Sequence, residues 1–326
     1  MKALMCHAFG PISDLRLEQA PDPLPGPGQV VVRVRACSLN FPDALIVQGR
    51  YQVKPALPFS PGAEFAGVVE SLGEGVRHVR VGDAVVAFAG HGGLAERCVL
   101  DAARLLPLPA GMDFAQGAAF VLTYGTALHA LRRIAELREG QTLLVLGAAG
   151  GVGLAAVEVG KALGARVIAA ASSASRLELA ARHGADAGID YATQDLRQRV
   201  LELSEGRGAD VVLDPVGGPY AEKALRATAW RGSYLVVGFA AGEIPRLPLN
   251  LVLLQERRLL GVYWGEALQR EPVAHLRDME QLVAWFSEGR LRPPITERVG
   301  LDAALDALQR MAARGVMGKV VVELGA

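Results

Sequence analysis

The pattern of apolar and polar residues changes once along the chain. Before about residue 108 the apolar runs are short and interrupted by Gly and Pro, as in residues 30–34, 65–69 and 95–100. Short apolar runs between turn-forming residues are typical of β-strands. The segment 21–28 contains four prolines and predicts an extended loop, because proline lacks the N–H that a sheet requires. We therefore expect a mainly antiparallel, barrel-like N-terminal domain.

From Thr142 onward, apolar strand-like runs alternate with helical stretches. Residues 143–146 precede a predicted helix over 152–163, and residues 167–171 precede one over 175–183. Such an alternation predicts a parallel sheet with helices on both faces. Further along, residues 221–230 also predict a helix. The chain after about residue 272 does not extend the alternation cleanly.

Composition excludes several classes of protein. The chain has 326 residues, of which 51% are hydrophobic and 21% charged, as in folded domains. Because 34 basic side chains balance 34 acidic ones, no overall field attracts nucleic acid or an anionic membrane surface. The uncharged stretch of residues 114–131 is too polar to span a membrane. Three cysteines without a Cys-x-x-Cys pair, and an N-terminus unlike a signal peptide, predict a cytoplasmic protein.

A glycine-rich stretch follows the first strand of the alternating region. Residues 147–153 read Gly-Ala-Ala-Gly-Gly-Val-Gly and lead into the predicted helix. Such glycines allow a tight turn and a close approach of the backbone to a pyrophosphate, which a helix N-terminus attracts. The alternative is an ordinary turn, but the next strand follows at the spacing of a dinucleotide site. The candidate contacts are Ala149, Gly150, Gly151, Val152 and Gly153.

The end of the second strand indicates which dinucleotide binds. A site that prefers NAD carries Asp or Glu there, to bind the ribose hydroxyls. This chain instead has Ser172 and Ser173, followed by Arg176. Two hydroxyls and a guanidinium suit a 2′-phosphate, which a carboxylate would repel. We therefore expect NADPH, with a solvated helix residue as the alternative interpretation of Arg176.

Further segments, taken together with the glycine-rich loop, carry a resemblance to a known family. In chain order they are Asn40-Phe41-Pro42-Asp43, Gly49-Arg50-Tyr51, Pro61-Gly62-Ala63-Glu64-Phe65-Ala66-Gly67, Val81-Gly82-Asp83, Thr126-Ala127, Gly238-Phe239-Ala240 and Gly318-Lys319. In this order and spacing the chain resembles the zinc-independent medium-chain dehydrogenases/reductases of the NADPH:quinone oxidoreductase group. The resemblance covers nearly the whole chain.

The resemblance implies an α/β protein with two domains. A Rossmann domain with a doubly wound parallel sheet, residues 121–265, would bind NADPH. A GroES-like, mainly β barrel catalytic domain would be formed by residues 1–120 and by residues 266–326, which return to it. The family places cofactor and acceptor between the domains, and its members are commonly homodimers.

The resemblance also bears on metal binding. Zinc-dependent relatives have a cysteine ligand and a histidine ligand where this chain has Asn40 and Ala63. Tetrahedral zinc takes thiolate, imidazole or carboxylate ligands, so neither residue suits it. We predict no bound metal. Hydride transfer from NADPH to a small-molecule electrophile, either a quinone or an activated alkene, then becomes the expected reaction.

Two side chains are candidate donors to the oxyanion that forms when hydride reaches the acceptor. By resemblance, Asn40 lies near the nicotinamide, and Tyr51 occupies the position of a tyrosine that is considered the proton donor of related enoyl thioester reductases. The alternative for Tyr51 is a ring on the surface of a loop. Asp43 is expected to cap a helical turn, and Glu64 to be a hydrogen-bonded structural carboxylate.

The resemblance adds further cofactor contacts, each with a plain structural alternative. Thr126 would donate to a phosphate or the carboxamide, or bond to its own helix. Tyr191 would lie near the adenosine phosphate, or only pack in a loop. Gly238 and Phe239 would run under the nicotinamide ribose. Lys319 would reach the cofactor phosphate, or be a solvated lysine at the end of a strand.

Three functions remain open from the sequence. The first is an NADPH-dependent quinone reductase. The second is an NADPH-dependent reductase of α,β-unsaturated carbonyls or enoyl thioesters; a coenzyme A tail would require a basic patch, for which Arg132-Arg133, Arg257-Arg258 and Arg290-Leu291-Arg292 are candidates. The third is an NADPH-binding structural or regulatory protein with little turnover.

Overall fold

The computed structural model describes residues 1–325, which form two compact units. Unit 1 consists of Met1–Leu122 and of the described chain from Pro293 onward, and unit 2 consists of Thr123–Arg292. The chain thus leaves unit 1, builds unit 2, and returns.

The two units draw on strands and helices that we number along the chain. The strands are β1 Lys2–Met5, β2 Arg16–Gln19, β3 Gln29–Ser38, β4 Glu64–Leu72, β5 Ala84–Phe88, β6 Arg97–Asp101, β7 Leu105–Pro107, β8 Thr142–Leu146, β9 Arg166–Ala171, β10 Ala187–Asp190, β11 Ala209–Asp214, β12 Thr228–Val236, β13 Arg258–Gly261, β14 Ile295–Gly300 and β15 Lys319–Glu323. The helices are α1 Phe41–Val47, α2 Phe114–Ala118, α3 Val121–Leu128, α4 Gly151–Ala162, α5 Ala174–Arg182, α6 Leu196–Leu203, α7 Ala221–Arg226, α8 Asn250–Leu253, α9 Trp264–Arg270, α10 Pro272–Ser287 and α11 Ala304–Ala312.

Unit 1 is built on a mixed sheet whose strands are mostly antiparallel, as predicted for the N-terminal region. Its strand order is β14-β15-β3-β4-β5-β7, with β6 also paired to β3. β14 and β15 are parallel to each other. The chain that returns from unit 2 therefore supplies two strands of this sheet, and the pairing of Val321 with Ser38 brings the start of β15 close to the end of β3.

Unit 2 is built on a parallel sheet of six strands in the order β10-β9-β8-β11-β12-β13. Leu144 in the central strand β8 pairs with Ile168 on one side and Val212 on the other. Successive residues of β8 are fully buried, which is expected where helices cover both faces of a parallel sheet. The prediction of a doubly wound parallel sheet is confirmed. The strand order reverses between β8 and β11, where such sheets bind ligands at the carboxyl edge.

Two boundaries differ from those expected from the sequence. The return to unit 1 begins at Pro293 rather than at residue 266, because α10 buries Met279, Leu282 and Trp285 in unit 2. The helix predicted over 221–230 ends at Arg226, and the chain enters β12 at Thr228 because Thr228 pairs with β11. Strand pairing outweighs the local helical pattern there.

Among residues 1–325, no helix combines the length and apolar character needed to cross a membrane.

Candidate functional site

The glycine-rich loop joins β8 to the N-terminus of α4 in unit 2. Gly150 is the residue before the helix, and no side chain caps this end of it. Gly151, Val152 and Gly153 form the first turn, in which N–H groups have no partner within the helix. An uncapped helix N-terminus with a glycine turn in front of it is suited to a phosphate group.

Steric crowding explains why two positions of this loop are occupied by glycine. Gly147 has φ +58°, a backbone conformation that residues with a side chain rarely adopt. A Cβ on Gly153 would lie 2.3 Å from the carbonyl oxygen of Gly147. Because that neighbour is backbone, it cannot move aside. The first turn of α4 therefore requires glycine in order to pack against the turn that precedes it.

A second group of polar residues lies at the ends of β9 and β10. Ser172 donates a hydrogen bond to Tyr191, and the Arg176 guanidinium lies close enough to lower the pKa of that phenol, although burial raises this pKa overall. The Tyr191 ring contacts that of Tyr220, with 4.2 Å between the ring centroids. The structure thus brings together three of the residues predicted to meet the 2′-phosphate end of NADPH.

Ser173, which the sequence predicted to contact the cofactor, has a structural position at the start of α5. It is the N-cap of α5, where its hydroxyl oxygen accepts the Arg176 N–H at 3.4 Å. Asp, Asn, Ser and Thr commonly cap helices in this way. Ser173 therefore stabilises the helix that carries Arg176, while Ser172 is exposed beside Tyr191.

On the other side of the switch point, Asp214 organises two loops. It ends β11, and its carboxylate accepts the N–H groups of Val216 at 2.7 Å and Gly217 at 2.8 Å and the hydroxyl of Tyr234. The backbone N–H of Gly238, just beyond β12, donates to the Asp214 carbonyl oxygen at 3.3 Å. A Cβ on Gly217 would lie 2.9 Å from the Phe239 ring. No pattern in the sequence had marked Asp214.

The remaining predicted contact in unit 2 is Thr126. It lies on α3, and its side chain is buried. The preceding Gly125 has no side chain to fill the space taken by Trp264, whose ring would lie 2.7 Å from a Cβ at that position. The helix is therefore fixed against α9 next to Thr126.

In unit 1 the structure places Asn40 and Lys319 in one buried network. The Lys319 ammonium donates to Asn40 Oδ1 at 2.6 Å, to Glu64 Oε1 at 3.0 Å and to the Leu39 carbonyl oxygen at 3.1 Å. Lys319 is only 2% exposed. The interpretation of Lys319 as a solvated lysine is therefore wrong. Since an ammonium has three donors, those of Lys319 are all engaged inside unit 1 and none is left for a phosphate.

The amide of Asn40 is held just as firmly. Its Nδ2 donates to Glu64 Oε1 at 3.0 Å and to the Ser38 carbonyl oxygen at 3.3 Å. Glu64 Oε1 also accepts the Ser38 hydroxyl, and Glu64 Oε2 accepts the Leu122 N–H at 2.8 Å. Glu64 thus has the structural role expected for it, and both amide hydrogens of Asn40 have acceptors within unit 1.

Asp43 supports the same network from the start of α1. Its carboxylate accepts the Asn40 N–H at 2.7 Å and the Ala63 N–H at 2.9 Å, which agrees with the expected capping role. Burial raises the pKa of Asp43 to about 7, while these two donors and the nearby Lys319 ammonium favour the ionised form. The sequence had marked Asn40 and Lys319, but not that they meet.

Tyr51 lies beyond α1 in unit 1. Its ring is half-buried and packs against the core of that unit, so it is not a ring on the outside of a loop. A phenol whose ring is fixed by packing keeps its hydroxyl in a defined direction.

A separate cluster of unit 2 contains two histidines that face a small cavity. His129 begins a π-helical segment, His129–Ile134, and His275 lies on α10. The cavity of about 10 Å³, room for about one water, is also lined by Arg133 and Asp278, which form an ion pair. His275 Nδ1 is buried without a hydrogen-bond partner among residues 1–325. Burial lowers the pKa of both imidazoles, which favours their neutral forms.

Acidification is expected to destabilise the protein through these two histidines. Their folded-state pKa values lie below the unfolded value of about 6.5, so the unfolded chain binds protons first. The stability they contribute is present above pH 6.5 and is lost as the pH falls through the folded pKa values. Urea denaturation between pH 7 and pH 5 should show a smaller loss for His275→Gln. An equal loss in the unmodified protein and in His275→Gln would contradict the assignment.

Within residues 1–325, no group of three or more His, Cys, Asp or Glu side chains is placed to hold a metal ion. The absence of metal stays a prediction that metal analysis of the purified protein can check.

Comparisons with known proteins agree with this geometry. The profile of the alcohol dehydrogenase GroES-like domain matches residues 26–110, and that of the family described as zinc-binding dehydrogenase matches residues 151–288. The quinone oxidoreductase-like protein 2 homolog of Nematostella vectensis is 38% identical over 98% of this chain and 88% of its own. The quinone oxidoreductase of Pseudomonas aeruginosa is 36% identical over 98% of this chain and 99% of its own. The structure of Escherichia coli quinone oxidoreductase complexed with NADPH superimposes with a TM-score of 0.93, at 27% identity, over 99% of this chain and 100% of that one.

Proposed function

Because the chain belongs to the quinone oxidoreductase group of the medium-chain dehydrogenase/reductase family, we propose that it reduces a quinone with NADPH. The observation that carries the proposal is the set of groups along the carboxyl edge of the unit 2 sheet. An uncapped helix N-terminus follows a glycine turn, and Ser172, Arg176 and Tyr191 lie one and two strands away from it.

The residues present fit this cofactor. No side chain caps the N-terminus of α4, and Gly147 and Gly153 allow the tight backbone turn in front of it, so a pyrophosphate can meet the N–H groups of the first turn. Ser172, Tyr191 and Arg176 offer two hydroxyls and a guanidinium to a 2′-phosphate, with no carboxylate at the end of β9. When bound, NADPH supplies the hydride.

The acceptor must then take up a hydride and a proton. Addition of hydride to a ring carbon of a quinone leaves an enolate oxygen. A proton donated to this oxygen gives a hydroxyl, and transfer of one proton from the new sp3 carbon to the second carbonyl oxygen then completes the hydroquinone. Both amide hydrogens of Asn40 are engaged within unit 1, so this amide is poorly placed to donate. We assign the role of proton donor to Tyr51. Asn40 is assigned a positioning role, since its side chain holds the buried network of Glu64 and Lys319 together.

A panel of acceptors tests the function as a whole. Purified protein is mixed with NADPH and, in turn, with quinones, small enones and enoyl thioesters, and NADPH absorbance is followed. Turnover with quinones above that with the other acceptors supports the proposal. Turnover confined to enones or enoyl thioesters supports the second function. NADPH binding without turnover supports a structural or regulatory role.

Replacing Tyr51 with phenylalanine should lower kcat about 10²-fold and leave the Kd for NADPH unchanged. Positioned proton donors contribute rate factors of this order, and the substitution keeps the packed ring. Stopped-flow measurement of NADPH oxidation and fluorescence titration of NADPH give the two quantities. Unchanged turnover would remove Tyr51 from the chemistry.

The arrangement of arginines weighs against a coenzyme A ester as substrate. Arg133 is bound by Asp278 and the Ala274 carbonyl oxygen, and Arg257 donates to three carbonyl oxygens, one of them that of Thr228. Arg290 donates to the Ala162 carbonyl oxygen and contacts the Trp285 ring. In each of the three candidate pairs, at least one guanidinium is therefore committed to its own local structure.

We also propose that the protein is a homodimer that associates through unit 2. Leu249, Leu253 and Leu254 are between 65% and 76% exposed, and they precede the edge strand β13. Clustered exposed leucines beside an open sheet edge are typical of an interface. Light scattering should give the mass of two chains, and Leu253→Glu should shift it toward one. A single-chain mass for the unmodified protein would contradict the proposal.

A further inference from the structure

Two exposed aromatic rings follow neighbouring strands at the carboxyl edge of the unit 2 sheet. Phe239 comes after β12 and is 36% exposed, and Tyr263 comes after β13 and is 45% exposed. β12 and β13 are parallel, with Val236 paired to Gly261, so both strands end at the same edge. Between Gly238 and Gly242 the chain otherwise carries only small residues. The two rings are therefore the large apolar groups that this part of the edge presents.

The direction of the cofactor along the edge follows from the polar groups. Ser172, Arg176 and Tyr191 lie beyond β9 and β10, and the glycine turn lies beyond β8. An extended dinucleotide that began at the first group and crossed the second would continue over β11 and β12, because the strand order is β10-β9-β8-β11-β12-β13. Its reactive ring would then lie on the side of the sheet where Phe239 and Tyr263 follow their strands.

Local contacts hold Tyr263 in place. The N–H of the preceding Val262 donates to the Val236 carbonyl oxygen at 2.9 Å, which extends the sheet ladder by one residue. The following Trp264 is 6% exposed and packs where Gly125 has no side chain. The Tyr263 hydroxyl makes no hydrogen bond to any other group of residues 1–325. The residues before and after Tyr263 are thus held in place, while its ring is half exposed. The ring is therefore available to a ligand.

We propose that Tyr263 is a specificity-determining residue whose ring stacks on the acceptor and favours fused aromatic acceptors over small aliphatic ones. This inference rests on the proposed function, since it concerns the acceptor of the same reaction. Offset stacking between aromatic rings is favourable beyond the area that it buries. Phe239 follows the neighbouring strand, β12, which is one strand nearer the glycine turn.

The test compares the ring with its hydroxyl. KM is measured for 1,4-naphthoquinone and for 3-buten-2-one with the unmodified protein, Tyr263→Phe and Tyr263→Leu, at saturating NADPH. We expect Tyr263→Leu to raise KM for naphthoquinone about 3- to 10-fold and to leave KM for butenone and the Kd for NADPH unchanged. Tyr263→Phe should match the unmodified protein. Trp230→Leu is the control, since this aromatic residue is 54% exposed but lies near the amino end of β12.

Three results would overturn the proposal: an unchanged KM for naphthoquinone in Tyr263→Leu, an equal rise for both acceptors, or a Tyr263→Phe that behaves like Tyr263→Leu. The failure of the proposed function would look different. If no quinone is reduced, the comparison is made by equilibrium binding of 1,4-naphthoquinone to the complex with NADP⁺, where Tyr263→Leu should again weaken binding about 3- to 10-fold. The stacking role and the quinone reaction are thus tested separately.

Discussion

Replacing Lys319 with methionine is expected to lower the free energy of unfolding by about 3–5 kcal/mol. The side chain is 2% exposed and its partner Glu64 is 1% exposed, so the substitution leaves a carboxylate buried without its cation. It also removes the donor to Asn40 Oδ1 and to the Leu39 carbonyl oxygen. Urea denaturation at pH 7, followed by circular dichroism, measures the change.

The control for this prediction is a lysine in a surface ion pair. Lys2 is paired with Asp302, and both side chains are exposed, so Lys2→Met should change the free energy of unfolding by less than about 1 kcal/mol. The double variant Lys319→Met/Glu64→Gln should recover part of the loss, because it no longer buries an unpaired charge. A loss for Lys319→Met no larger than that for Lys2→Met would show that the network does not hold unit 1 together.

Replacing Arg176 with alanine is expected to weaken NADPH binding about 10- to 100-fold and to leave NADH binding unchanged. A hydrogen bond to a charged group contributes about 1.5–3 kcal/mol, and about 1.4 kcal/mol corresponds to a tenfold change in Kd. Burial raises the pKa of Tyr191, whereas the charge of the Arg176 guanidinium and the hydrogen bond from Ser172 act to lower it, so the three side chains share one region. Fluorescence titration with each coenzyme gives both dissociation constants.

Arg182 offers a matched control for this substitution. It lies at the opposite end of the same helix, α5, and is exposed, so Arg182→Ala removes an equal charge from the same element. In Arg182→Ala, the ratio of the Kd for NADPH to the Kd for NADH should equal that of the unmodified protein. Equal losses for NADPH and NADH in Arg176→Ala would mean that Arg176 does not contact the 2′-phosphate.

The sequence was most informative about local backbone requirements. The glycines of residues 147–153 indicated a phosphate-binding turn, and the structure shows why Gly147 and Gly153 are needed there. Ser172, Arg176 and Tyr191 were each selected separately, and they meet because β9 and β10 are neighbouring parallel strands. The alternation of strands and helices predicted the parallel sheet, but not that the helix begun at Ala221 would end at Arg226.

The sequence was least informative about partners far apart in the chain. Lys319 was expected at a phosphate or in solvent, whereas the pairing of β15 with β3 buries it beside Asn40 and Glu64. No local pattern can report a contact across 279 residues. Asp214 was missed for the same reason. Its hydrogen bonds with the Tyr234 hydroxyl and with the N–H of Gly238, just before Phe239, form only in the folded sheet.

By itself the sequence determined the fold class, and it selected a glycine turn as the candidate for the pyrophosphate and three polar residues as candidates for the 2′-phosphate, because these depend on short-range periodicity and on residue type. Only the tertiary structure decided which polar side chains remain available to ligands. The amide of Asn40 and the ammonium of Lys319 are engaged with each other, while Tyr263 is left exposed at the edge of the sheet. Buried polar groups must find partners within the protein, and strand pairing rather than sequence distance determines which partners are within reach.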